Sequence, residues 1–137
     1  MDLAARQILQ GVKVLIVEDD EDSRELLCEL LDLVGAQVLG AQSTPDALDA
    51  IGKFDPDVLV SDIGLPQEDG YVLIRKVRAR EEAQGTRSLP AIALTGYSQG
   101  EHVRRALDAG YQTHLTKPVD PELLVQAIQQ VKRDRVT

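Results

Sequence analysis

Short apolar runs alternate along the chain with stretches in which apolar residues recur every three or four positions. Runs rich in Val, Ile, Leu and Ala occur at 12–17, 57–61 and 91–94, and weaker runs occur at 36–41 and 111–116. Runs of this length are typical of buried strands, whereas the periodic stretches predict amphipathic helices. Five strand–helix units in succession predict a parallel sheet with helices on both faces.

Glycine and capping residues mark the predicted helix ends. The first helix is predicted over 21–34, because Gly35 follows it, and Ser43 or Thr44 is expected to cap the second. The third helix is predicted to end near residue 80, before a polar connection. Because crossovers between parallel strands are right-handed, this order predicts a doubly wound α/β fold.

The length and composition indicate one domain with an aliphatic core. The chain has 137 residues, of which 43% are hydrophobic and only 3% aromatic, so the core must consist of Val, Ile, Leu and Ala. We expect the domain over 12–133, with a leader or linker end at 1–11 and a short tail at 134–137.

The charge and the cysteine content exclude several classes of protein. A formal net charge of −8 argues against direct nucleic-acid binding, which needs a basic face, and against binding to anionic membranes. No apolar run reaches the roughly 18 residues of a membrane span, and the N-terminus does not resemble a signal peptide. The single cysteine, Cys28, excludes an intrachain disulfide and fits a reducing compartment. We therefore expect a cytoplasmic protein without membrane insertion.

Polar residues follow four of the predicted strands at the point where each strand ends. In parallel sheets of this kind, ligands bind outside the carboxyl ends of the strands, so these residues are expected to form one site. They are Glu18 and Asp19 after the first strand, Asp62 after the third, Thr95 after the fourth and Lys117 after the fifth.

The three carboxylates in this set predict a divalent-cation site. Like charges placed close together disfavour joint ionisation, and a divalent cation removes the conflict between Glu18, Asp19 and Asp62. Hard oxygen ligands suit Mg²⁺, or Mn²⁺ in its place, better than Zn²⁺. Asp20, the next acid in the run, is interpreted instead as part of the helix start, where acids favour the helix dipole.

Asp62 stands alone after an apolar strand and before a loop rich in Gly and Pro, which leaves its carboxylate accessible to an electrophile. Carboxylates can act as nucleophiles and form aspartyl phosphates. Phosphoryl transfer requires mainly positioning and neutralised charge on the phosphoryl oxygens. The ammonium of Lys117 and the hydroxyl of Thr95 are suited to this task.

Four segments of the chain resemble the receiver domain of two-component response regulators, which is also found in hybrid histidine kinases. They cover residues 12 to about 131, and together they are highly specific. The segments are VKVLIVEDDEDSRELL, PDVLVSDIGLPQEDGYVLI, PAIALTGYS and DAGYQTHLTKPVD. The resemblance implies a five-stranded flavodoxin-like (βα)5 fold.

The resemblance also implies a role for each residue of the site. Asp62 corresponds to the phospho-acceptor, and Thr95 and Lys117 correspond to the residues that contact the phosphoryl group. Asp19 corresponds to a direct Mg²⁺ ligand and Glu18 to a direct or water-mediated one. Metal coordination by a backbone carbonyl is implied for Gly64.

Several positions are expected to modulate or transmit the reaction. At the position where the family often has Tyr or Phe as a rotating switch, this chain has His114. A surface histidine on an edge strand, without a switch role, is an equally good interpretation of this residue. Tyr97, Gly96 and Pro118 occupy modulating positions beside the site. The resemblance favours a cis bond between Lys117 and Pro118, although such bonds are usually trans.

The function implied is that of a phosphorelay receiver rather than a dedicated enzyme, although it would catalyse its own phosphorylation and dephosphorylation. A histidine kinase or histidine phosphotransfer protein would donate a phosphoryl group to Asp62, and a downstream protein would respond to the conformational change. The chain is expected to be a monomer or weak homodimer, either stand-alone or part of a hybrid kinase. Leu26 or Leu27 on the first helix is a candidate docking position.

Three other interpretations compete with this one. A haloacid-dehalogenase-like phosphatase would use the acidic run 20–22 as its nucleophile motif, but it leaves Asp62 without a role. A flavodoxin is disfavoured by the low aromatic content and the lack of a phosphate-binding loop after the first strand. A degenerate receiver that serves only as a protein scaffold is disfavoured by the intact set of acids.

Overall fold

The computed structural model of the protein describes residues 7–96 and 100–136. Five parallel strands form one sheet in the order β2-β1-β3-β4-β5. Each strand is followed by a helix, which confirms the predicted alternation and the flavodoxin-like fold. The elements are β1 (Lys13–Val17), α1 (Glu21–Leu33), β2 (Gln37–Ala41), α2 (Thr44–Phe54), β3 (Val58–Asp62), α3 (Gly70–Gln84), β4 (Ala91–Thr95), α4 (Gly100–Ala109), β5 (Thr113–Thr116) and α5 (Pro121–Val136).

Side chains on alternate faces of the sheet form two separate core layers. Val14 and Ile16 of β1 pack in the layer that holds the buried residues of α1 and α5, such as Leu31 and Ile128. Leu15 and Val17, one position along, belong to the layer beneath α2, α3 and α4. Successive residues of a strand point to opposite faces, and strands covered on both faces are continuously apolar, as the sequence shows here.

The segment before β1 contributes to the first of these layers. Leu9 is 1% exposed, and its N–H donates to the carbonyl of Val34 at 2.9 Å. Ile8 packs against the same cluster. Residues 8 and 9, which fall in the expected leader, are therefore packed against the end of α1.

Most differences between predicted and observed boundaries are one or two residues, but α3 is longer than its periodicity predicts. It continues past residue 80 to Gln84, because the polar residues after 80 still favour a helix. The helix ends at Gly85, whose φ of 67° is the left-handed conformation that favours glycine. The β3 strand also extends one residue further and includes Asp62.

Acidic and hydroxyl side chains cap the first three helices, two of them at positions that the sequence predicts. Asp20 accepts a hydrogen bond from the N–H of Ser23 at 2.9 Å, which confirms its role at the start of α1. Ser43 caps α2, and Asp69 caps α3 by accepting from two backbone N–H groups. Each cap satisfies amides that have no partner inside the helix, which is typically worth about 1 kcal/mol. Within the described residues, no helix is both long and apolar enough to cross a membrane.

Gly70, at the start of α3, lies directly against the end of β3. A Cβ on this residue would stand 2.6 Å from the carbonyl oxygen of Asp62 and 2.7 Å from the Cα of Ile63. Both contacts are with backbone atoms, so the strand end would have to move. We predict that Gly70→Ala destabilises the protein by about 2–3 kcal/mol, measured by urea denaturation.

Gly52 provides the matched control for this substitution. It lies in α2, and a Cβ there would meet no atom within 4 Å apart from its own helix backbone and chain neighbours. Because alanine is the better helix former, Gly52→Ala should stabilise the protein by about 0.5 kcal/mol. Equal effects of the two substitutions would contradict the close approach of Gly70 to β3.

Candidate functional site

The polar residues that follow the strands lie together at one edge of the sheet. Glu18 follows β1, Asp62 ends β3, Thr95 ends β4 and Lys117 follows β5. Glu18, Asp62 and Thr95 are 3%, 7% and 5% exposed. The structure therefore brings together residues that are up to 99 positions apart in the sequence.

Backbone hydrogen bonds between neighbouring strands place these residues. The N–H of Glu18 donates to the carbonyl of Ala41 on β2 at 3.0 Å. The N–H of Lys117 donates to the carbonyl of Thr95 at 2.8 Å, so the sheet ladder continues one residue past β5. The positions of the site residues follow directly from the register of the parallel strands.

Lys117 links the two buried carboxylates. Its Nζ lies 2.9 Å from Oδ2 of Asp62 and 3.5 Å from both carboxylate oxygens of Glu18. The lysine side chain is 34% exposed, whereas the side chains of Glu18 and Asp62 are only 4% and 11% exposed. Burial works against the charge of Lys117, but the hydrogen bond and the attraction to Asp62 raise its pKa overall.

Glu18 holds its proton more strongly than an ordinary glutamate. Burial and, after it, the hydrogen bond with Asp62 raise the pKa of Glu18 to about 7. Burial also opposes ionisation of Asp62, but hydrogen bonds from Glu18, Lys117 and the N–H of Gly64 lower the pKa of Asp62. Between the ordinary pKa of a glutamate and about pH 7, a proton in this part of the site therefore resides on Glu18, and Asp62 carries the negative charge.

Glu18, Asp19 and Asp62 form a cluster that fits a divalent cation. One carboxylate oxygen from each residue lies within 4.8 Å of the other two. Asp19 is exposed, whereas the other two are buried, so the cluster opens to solvent on one side. The all-oxygen donor set suits a hard cation such as Mg²⁺.

Gly64 contacts the predicted acceptor through its amide group. Its N–H donates to Oδ1 of Asp62 at 3.1 Å, so both carboxylate oxygens of Asp62 accept hydrogen bonds. A Cβ on Gly64 would come no closer than 3.8 Å to Asp62, which leaves this side of the Asp62 carboxylate uncrowded. Coordination of a metal by the carbonyl of Gly64 stays a prediction.

The remaining predicted positions surround this cluster. Gly96 and Pro118 are exposed and directly follow Thr95 and Lys117. The Lys117–Pro118 peptide bond is cis, as the resemblance favours. His114 is half-buried in β5, at the edge of the sheet, and Tyr97 lies outside the described residues.

Two residues of the site have no clear signal in the sequence. Arg24 of α1 donates from Nη1 to the carbonyl of Glu18 at 2.9 Å. Tyr111 is 3% exposed, and its hydroxyl donates to the carbonyl of Gly70 at 2.8 Å. The Tyr111 contact joins residues 41 positions apart, which no local pattern can reveal.

A doubly wound sheet with a buried carboxylate, adjacent acids and a lysine at the carboxyl ends of its strands is typical of the receiver class of signalling domain. Comparison with known proteins agrees: the chain belongs to the response regulator receiver domain family, whose model matches residues 14–129.

The relatives of this chain include short proteins and large kinases. An uncharacterized 14.6 kDa protein of Leptolyngbya boryana is 41% identical over 124 residues, which cover 90% of this chain and 92% of that protein. The sensor histidine kinase RcsC of Escherichia coli is 32% identical over 115 residues, which cover 84% of this chain but only 12% of the kinase. The structure of the chemotaxis response regulator CheY4 of Vibrio cholerae matches with a TM-score of 0.79 and 28% identity, over 88% of this chain and 98% of that one.

The raised pKa of Glu18 makes a prediction about stability in the absence of metal. An unfolded glutamate ionises near its ordinary pKa of 4.5, whereas the folded protein keeps this proton until about pH 7. The folded state therefore loses stability relative to the unfolded state as the pH rises through this range. Glu18→Gln should remove the loss, because an amide stays neutral and can still donate to Asp62.

We expect Glu18→Gln to become more stable than the wild type between pH 5 and pH 8, by about 2 kcal/mol at the upper end. The measurement is urea denaturation in EDTA at several pH values. A difference in unfolding free energy that stays constant across this range would contradict the assigned protonation of Glu18.

Proposed function

We propose that this chain accepts a phosphoryl group from a phosphohistidine of a partner protein onto Asp62 and signals through the resulting conformational change. One observation carries this proposal: the buried carboxylate of Asp62 lies 2.9 Å from the ammonium of Lys117 and within the acidic cluster. This arrangement combines a nucleophile with the means to neutralise a phosphoryl group, and membership of the receiver family supports it.

The residues of the chain have complementary parts in this reaction. A carboxylate oxygen of Asp62 attacks phosphorus, the P–N bond of the phosphohistidine breaks, and the bonding electrons return to the imidazole of the donor. The ammonium of Lys117, already hydrogen-bonded to Asp62, then faces the added negative charge. Thr95, buried at the end of the adjacent strand, supplies a hydroxyl donor for a phosphoryl oxygen.

A Mg²⁺ or Mn²⁺ ion held by Glu18, Asp19 and Asp62, with the carbonyl of Gly64, would neutralise charge on the phosphoryl oxygens. To serve as a ligand, Glu18 would have to be deprotonated, so binding of the ion would be coupled to release of a proton.

The response to phosphorylation is proposed to pass through the ends of β4 and β5. Thr95 and Lys117, which would both contact the phosphoryl group, are joined by a backbone hydrogen bond. An inward movement of either residue would therefore shift the start of the connection to α4 and the end of β5. The ends of β4 and β5 would then adopt one conformation with the phosphoryl group and another without it. A downstream protein would bind one of these conformations in preference to the other.

The competing phosphatase interpretation requires Asp20 as the nucleophile. Asp20 is engaged as the N-cap of α1, where the hydrogen bond from Ser23 lowers its pKa. Asp62, in contrast, belongs to the acidic cluster and accepts a hydrogen bond from Lys117. The geometry therefore favours Asp62 as the reacting carboxylate.

Substitution of the two carboxylates distinguishes these mechanisms. Asp62→Asn should abolish incorporation of radioactive phosphate from labelled acetyl phosphate in the presence of Mg²⁺, because an amide is not a nucleophile here. Asp20→Asn should retain incorporation, because asparagine is an equally good helix cap. Label that persists in Asp62→Asn and disappears in Asp20→Asn would reject the proposed acceptor.

Docking of the phosphate donor is proposed to involve the exposed face of α1. Leu26 is 66% exposed, whereas Leu27 is half-buried and packs against the core, so Leu26 is the available contact. Leu26→Ser should slow phosphotransfer from a purified histidine kinase or phosphotransfer protein that labels the wild type, by about tenfold. The rate with acetyl phosphate should not change, because that reaction needs no docking surface.

Leu107 is the matched control for this experiment. It is 43% exposed and lies on α4, which packs in the core layer on the opposite face of the sheet from α1, so Leu107→Ser should leave both rates unchanged. A loss of the acetyl phosphate reaction in Leu26→Ser would show that the substitution damages the site instead of the docking surface.

A further inference from the structure

Arg24 reaches from α1 back over the loop that carries the acidic residues. Its Nη1 donates to the carbonyl oxygen of Glu18 at 2.9 Å. Side chains of a helix lean toward its N-terminus, so a residue in the first turns of α1 is well placed to reach this loop. The contact is with the backbone of Glu18, not with its carboxylate.

The carbonyl that Arg24 holds belongs to the peptide group that joins Glu18 to Asp19. Because a peptide group is planar, fixing this carbonyl fixes the orientation of the bond between the two residues. The N–H of Glu18 is separately bound by the carbonyl of Ala41 at 3.0 Å. Both backbone polar groups of Glu18 are thus hydrogen-bonded, and Arg24 binds the carbonyl, which is on the side of Asp19.

Gly40, on the edge strand β2, provides the space for the Arg24 side chain. A Cβ on Gly40 would lie 3.0 Å from Cδ and 3.2 Å from Cγ of Arg24. Gly40 does not have a positive φ, so its backbone conformation does not require glycine. Glycine weakens a strand, and it often marks a place where another group approaches the backbone closely. Here that group is the aliphatic part of the Arg24 side chain.

We propose that Arg24 is a positioning residue for the binding of a divalent cation. It orients the peptide group between Glu18 and Asp19, and Gly40 leaves the space that its side chain occupies. This inference rests on the proposed function, in which those two acids hold the cation. Residues that orient metal ligands typically contribute 10- to 100-fold in metal affinity. Because Arg24 acts through the backbone, we expect about tenfold.

The sign of the effect separates positioning from simple electrostatics. A nearby positive charge repels a cation, so an arginine that acted only through its charge would weaken metal binding, and its removal would strengthen binding. Positioning predicts the opposite: removal of the guanidinium should weaken binding. Lysine retains the charge and a hydrogen-bond donor without the fork of the guanidinium, so it should restore part of the affinity.

The experiment is calorimetric titration of the metal-free protein with Mn²⁺, which measures binding without any phosphoryl transfer. Arg24→Met should raise the dissociation constant about tenfold, and Arg24→Lys should raise it less. Gly40→Val should also raise it, because valine favours a strand but displaces the stem of Arg24. Melting temperatures in EDTA should change by less than about 4 °C, so that the loss of affinity is not a loss of fold.

Glu18→Gln separates failure of this inference from failure of the proposed function. If Glu18→Gln weakens Mn²⁺ binding while Arg24→Met leaves it unchanged or tighter, the metal site stands and the role of Arg24 is refuted. If the wild type does not bind Mn²⁺, both proposals are refuted. Weaker binding in Arg24→Met and Gly40→Val, with partial recovery in Arg24→Lys, supports the positioning role.

Discussion

Lys117 faces two carboxylates, Glu18 and Asp62, that are almost completely removed from water. One ammonium cannot neutralise two buried negative charges, so this part of the protein has a deficit of positive charge. A proton on Glu18 removes the deficit, and a divalent cation held by the same acids would remove it as well. The two solutions compete for the same carboxylate. This electrostatic balance gives Asp62 its negative charge at neutral pH, and the proposed nucleophilic role depends on that charge.

The parallel sheet makes such a concentration of charge structurally possible. Strands covered by helices on both faces must be apolar along their length, so polar groups can collect only at the strand ends. The first residue beyond β1 and the first beyond β5 are still bound to the neighbouring strands by backbone hydrogen bonds. The charged side chains therefore project from a rigid backbone, which reduces the reorganisation that the reaction requires.

The loop after Asp62 is also fixed by hydrogen bonds to other parts of the protein. The hydroxyl of Tyr111 binds the carbonyl of Gly70, and the N–H of Gly70 binds the carbonyl of Ile63. On the other side, the hydroxyl of Thr44 binds the carbonyl of Glu68 at 2.8 Å. Anchors from α2 and from the segment before β5 thus converge on one loop. Gly64 and Gly96, in contrast, are exposed to solvent. The backbone around the site is therefore fixed by hydrogen bonds, while the side of the site next to these two glycines is open to solvent.

Much of this arrangement can be deduced from the sequence because it depends on local patterns. Apolar runs and helical periodicity predict the five strand–helix units, and the polar residues that end the runs predict which side chains share the site. Asp20 as a helix cap also follows from its position before an amphipathic stretch. These features are encoded by residues that are neighbours in the chain, so a periodicity of two or 3.6 is sufficient to reveal them.

The tertiary structure alone decided how the charges are distributed and what supports them. The sequence places Glu18, Asp62 and Lys117 at strand ends, but the raised pKa of one carboxyl and the lowered pKa of the other depend on burial and on distances of a few ångströms. The contacts of Arg24 with Glu18 and of Tyr111 with Gly70 exist because the fold juxtaposes separate elements. Desolvation and hydrogen-bond geometry arise only when distant parts of the chain pack together. Local patterns in the sequence therefore cannot predict them.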